Sequence, residues 1–69
     1  MSERERKYPK LLHDLNNQLM IVQGYSDLLL DTIPSTDARH ADLMEIVSAA
    51  KHAIELVPQI EREMREGPA

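Results

Sequence analysis

The chain has no cysteine, no phenylalanine and no tryptophan. Without cysteine it holds no disulfide framework and no thiolate metal site, and it is compatible with a reducing, cytosolic setting. Aromatic residues make up 3% of the chain and hydrophobic residues 42%, so any core is aliphatic. That composition suits helices packed on helices better than a sheet. No apolar run approaches the roughly 18 residues of a membrane span, so none is expected. Basic residues number 8 and acidic residues 12, a net charge of −4, which opposes nucleic acid as the partner. Arg4, Arg6, Lys7 and Lys10 crowd the start but alternate with Glu3 and Glu5, as in a solvated lead-in. A start this charged does not read as a signal peptide, and a cytoplasmic location is the expectation. At 69 residues there is one domain at most, with too little burial for comfortable stability alone.

What is present is helical periodicity. Leu12, Leu15, Leu19, Val22, Leu29 and Ile33 recur at steps of three and four, with Ser26 on the same stripe. Leu12, Leu19 and Ser26 mark one core position, and Leu15, Val22 and Leu29 the other. The spacing predicts a first helix from about Pro9 to Ile33, stopped by Pro34, with Gly24 its weak point. Ser35 or Thr36 is placed to cap a second helix, with Asp37 in its first turn. Leu43, Ile46, Val47, Ala50, Ala53, Ile54, Val57, Ile60 and Met64 share a face of that helix, which ends near Glu66. Glu61–Arg65 and Arg62–Glu66 are oppositely charged pairs four apart. Pro58 interrupts the pattern; folding the hairpin about Ser35 sets it level with His13. The expected organisation is a lead-in over 1–8, a helical hairpin over 9–66 and a tail over 67–69. The fold class is all-α, an antiparallel two-helix hairpin. Two helices enclose no core between them, so two copies are expected to pair into a four-helix bundle.

Into the first helix the sequence sets "HDLNN", residues 13 to 17. Histidine, aspartate and asparagine are indifferent helix formers and add little to a core. His13 falls just outside the seam, and Asn17 lies one turn along on the same face. A neutral imidazole has one lone-pair nitrogen and one N–H. A carboxylate that accepts the N–H, here Asp14 beside it, sets the tautomer and strengthens the other nitrogen as a nucleophile. An amide one turn away can orient water or bond a phosphoryl oxygen. The set is suited to phosphoryl transfer through phosphohistidine. His40 and His52 lack such neighbours and read as surface residues. The His and Asp spacing does not suit zinc, and no metal is expected.

"LLHDLNNQLMIVQGYSDLLL" resembles the phosphoacceptor box of sensor histidine kinases, in the subgroup reading H-D-[FL]-N-N-x-L. "DLMEIVSAAKHAIELVPQI" is similar to the second helix of the same module. As in that subgroup, Gln18 rather than proline stands five residues past the histidine. The resemblance implies that His13 is the phosphorylated histidine, Asp14 its base or orienter, and Asn17 the residue that places water. It implies a homodimer that receives phosphate from an ATP-binding kinase domain and passes it to a response-regulator receiver domain. The receiver would dock over Gln18, Ile21, Gly24 and Ile54. The chain has two glycines, Gly24 and Gly67, and no Gly-rich phosphate loop. It is therefore expected to bind no cofactor, with ATP and magnesium held on the kinase domain. The alternative reading is a non-catalytic hairpin that only dimerises or docks.

Overall fold

In the computed structural model the chain folds back once on itself. Helix α1 spans Glu3–Thr32 and antiparallel α2 spans Ala38–Glu66. The structure describes the backbone of residues 3–66 and the side chains of residues 7–66. The expected tail over 67–69 and the charges of Glu3, Arg4, Glu5 and Arg6 lie outside the described residues. No strand occurs among the described residues, and no helix is long and apolar enough to cross a membrane. Helix α1 takes in most of the expected lead-in, so Pro9 lies inside it. Pro9 lies past the first turn, so it removes the ladder bond that an N–H there would donate to the Glu5 carbonyl.

The turn is built by local hydrogen bonds. The Ile33 N–H donates to the Leu29 carbonyl at 3.1 Å, and the Thr32 hydroxyl donates to the same oxygen at 2.9 Å. Pro34 then ends the helix, and the Asp37 N–H donates back to the Pro34 carbonyl at 3.0 Å. The cap of α2 is Asp37, not Ser35 or Thr36. Asp37 directly precedes the first helical residue, so its short side chain reaches the second N–H of the helix, that of Arg39, at 2.9 Å. The Arg39 guanidinium donates to both carboxylate oxygens, at 3.1 and 2.7 Å. These bonds from Arg39 hold the Asp37 carboxyl at about 2, against an ordinary 3.8. The carboxylate in turn raises the guanidinium above its ordinary range.

The helices meet along Leu12, Leu19, Ser26, Leu30 and Ile33 on α1 and Leu43, Val47, Ala50, Ile54 and Val57 on α2. Val47, Ala50, Val57 and Ser26 are the buried residues. Small side chains at the centre allow the backbones to approach closely. The second predicted core position behaves differently. Leu11, Leu15, Val22 and Leu29 on α1, with Ile46, Leu56, Ile60 and Met64 on α2, are 39–51% exposed. At about 100° per residue, these side chains lie to one side of the seam on both helices. The hairpin thus has an open apolar side, and His13 stands on the other, which also carries Met20 and Met44, each 55% exposed.

The ion pairs among the described residues are Lys10–Asp14 and Arg39–Asp37. The expected Glu61–Arg65 and Arg62–Glu66 pairs do not close, as is common for solvated side chains that lose rotamer freedom on pairing. At Gly24, a Cβ would meet nothing within 4 Å, so close packing within the hairpin does not account for the glycine.

Two outcomes follow for stability. Gly24→Ala should stabilise the hairpin by about 0.5–1 kcal/mol, read from urea unfolding, because it removes glycine's backbone entropy without a clash. The lowered Asp37 carboxyl stabilises the fold above the unfolded value of 3.8, and that contribution disappears as pH falls toward about 2. The thermal midpoint by circular dichroism should drop across that window, and Asp37→Ala should remove the step.

Candidate functional site

The turn over residues 34–37 fixes the register of the two helices. It sets the N-terminal third of α1 against the C-terminal third of α2. There an open pocket of about 300 Å³ is lined by His13 and Asn16 from α1 and by Ile54, Val57, Pro58 and Glu61 from α2. Pro58 therefore stands level with His13, as the folding of the sequence about Ser35 predicts. Helix α2 continues through it to Glu66. The proline has no N–H, so the Ile54 carbonyl one turn earlier loses its helical donor at the pocket wall.

His13 and Asn17 are both exposed, one turn apart on the side away from the apolar face. Asp14 is also exposed, but its carboxylate accepts a hydrogen bond from Lys10 Nζ at 3.1 Å. Among the described residues no hydrogen bond joins His13 to Asp14 or to Asn17. The reason is helical geometry. Consecutive side chains diverge by about 100°, whereas residues four apart stack along one face. The Asp14 side chain accordingly meets Lys10 more readily than it meets the neighbouring ring.

Two pocket residues escape the sequence reading. Asn16 is half-buried in the pocket, its amide nitrogen 3.6 Å from Met20 Sδ. Glu61 is half-buried in the opposite wall. The register that aligns Pro58 with His13 also brings in Glu61, one turn further along α2, so the signal for it was the hairpin's register.

The expected docking residues do not form one patch. Gln18, Ile21 and Gly24 are exposed, and Ile54 is half-buried in the pocket wall. By helical rotation Gly24 lies within about 20° of His13, Ile21 about 80° away, and Gln18 about 140° away toward the apolar side. Tyr25 and Leu28 on α1 are more open, at 67% and 61%. His52 is exposed, while His40 is half-buried in the first turn of α2, its N–H donating to the Asp37 carbonyl at 3.0 Å. Among the described residues no group of three or more His, Cys, Asp or Glu is arranged to hold a metal ion.

The arrangement offers a solvent-facing imidazole at the rim of a small pocket, carboxylates on both sides of it and amides at three and four residues. No family model, no curated protein and no solved structure matches this chain.

Proposed function

We propose that this hairpin is a dimerisation and histidine-phosphoacceptor module of two-component signalling, active in the cytoplasm. The observation that supports it is the division of the hairpin into two sides. His13 is exposed with Asn17 one turn away, and the exposed apolar side chains, Met20 and Met44 apart, gather mostly on the opposite side. In this reading one ring nitrogen of His13 attacks the γ-phosphorus of ATP held with magnesium on a kinase domain. The N–P bond forms as the bond to the bridging oxygen breaks, and ADP leaves. The ring proton passes to a nearby carboxylate. The phosphorus is next attacked by an aspartate carboxylate of a response-regulator receiver, the P–N bond breaks, and the ring regains a proton. Asp14 serves as base or orienter once an incoming domain displaces Lys10, a surface pairing of low cost to break. Asn17 places water or a phosphoryl oxygen, and Gln18, Ile21, Gly24 and Ile54 contribute to docking.

The partner on the apolar side is a second copy of the chain. The hairpin exposes 5754 Å², about 1,300 Å² more than a compact monomer of this length. Its extents of 53 × 20 × 12 Å describe a plank one helix thick. Covering that face would bury an area per protomer typical of stable homodimers. A twofold four-helix bundle covers it while both His13 side chains stay open.

A second reading, a hairpin that only dimerises, is favoured by the engagement of Asp14 with Lys10 rather than His13. Labelling separates the two. With ATP, magnesium and the ATP-binding domain of a histidine kinase, the chain should acquire acid-labile phosphate, and His13→Ala should abolish it with helicity retained. Unlabelled wild type across a panel of such domains would favour the second reading. The dimer is tested by sedimentation: the wild type should run as a dimer whose thermal midpoint rises with concentration, and Leu15→Asp with Val22→Asp should shift it to monomer.

A further inference from the structure

We propose that Glu61, on α2, is the positioning residue that holds the His13 ring in the resting hairpin. Among the described residues no direct hydrogen bond or ion pair joins the two side chains, which line the same pocket; the carboxylate reaches one ring N–H by turning toward it or through one water, leaving the lone pair of the other nitrogen turned to solvent. The proposal deepens the phosphoacceptor reading and rests on it. It transfers the holding of the ring from Asp14 to a residue on the other helix, and Asp14 then enters only when Lys10 is displaced.

Four observations lead there. His13 and Glu61 line the same small pocket from opposite walls. Glu61 is half-buried and makes no ion pair among the described residues, although Arg65 stands one turn along its own helix. Asp14, the nearer carboxylate in sequence, is occupied by Lys10 and diverges from the ring by the helical step. The α2 wall also carries the Ile54 carbonyl freed by Pro58, so it presents acceptors only, besides apolar Ile54 and Val57. On the α1 wall one N–H of the Asn16 amide is turned to Met20 Sδ at 3.6 Å, so the imidazole and the second amide N–H are the donors that can meet those acceptors. The charged groups around the ring are thus Lys10 and Asp14 on α1 and Glu61 on α2. A carboxylate that accepts one ring N–H fixes the tautomer, which makes the free nitrogen a directed nucleophile.

The test reads the ring directly. Nitrogen NMR of the full chain at about pH 8, where an ordinary imidazole is neutral, reports the tautomer balance and hydrogen bonding of His13. Glu61→Gln, which keeps shape and loses charge, should move the His13 ring signals toward those of free histidine, and Asp14→Asn should leave them in place. In the labelling assay Glu61→Gln should slow phosphorylation of His13 by roughly a hundredfold, with Glu61→Asp recovering part of the rate. Ring signals unchanged by Glu61→Gln would overturn the proposal, as would an equal change in Asp14→Asn. If Glu61→Gln loses helicity by circular dichroism, Glu61→Asp is read by the same ring signals. A wild type that never labels removes the phosphoacceptor reading, whereas the ring signals still decide whether Glu61 holds His13.

Discussion

The seam between the two helices carries everything else in this molecule. Its most buried members among the described residues are small: Ser26 from α1, and Val47, Ala50 and Val57 spread along α2. Small residues let two long helices lie close, and the alternation of three and four residues keeps the contact continuous along the hairpin. Once that line is occupied, every other residue is assigned to one side or the other by helical rotation alone. Most of the apolar residues that do not fit the seam fall to one side, and the polar cluster around His13, with Met20 beside it, falls to the opposite one.

That partition explains how a chain with so thin a core can present a reactive side chain in the open. The chain exposes more surface than a compact monomer of this size, and much of the excess is the apolar side. The polar side needs no cover. A histidine on it can be approached without disturbing the packing beneath, and the pocket at its foot is lined by Asn16 of its own helix and by four residues of α2. Pro58 contributes by omission: it removes a donor where the pocket opens, and leaves an acceptor at its wall.

The turn plays a quieter part. Asp37 and Arg39 form a compact knot of hydrogen bonds at the start of α2, and the cap fixes where that helix begins. Register follows from it. A shift of one residue at the cap would rotate α2 by about 100°, carrying Val47 and Ala50 off the seam and Glu61 out of the pocket. The site is therefore positioned from more than twenty residues away, by a short side chain bonded to the helix it caps.

The two helices, the stop at Pro34, the end near Glu66 and the level of Pro58 against His13 were all legible in the sequence, because each rests on local chemistry or on a count of residues. So was the presence of His13 and Asn17 on one face, which follows from a spacing of four. The upstream extension of α1 through Pro9 was not, since a proline near a helix start permits either outcome. Nor was the cap at Asp37 rather than Ser35 or Thr36, a choice among neighbouring side chains that only the turn's hydrogen bonds make. Adjacency in the chain pointed to Asp14 as the partner of the ring. Helical spacing instead sets Lys10 on Asp14, four residues apart on α1, and only the tertiary structure brought Glu61 to the pocket, because that takes the register of one helix against the other.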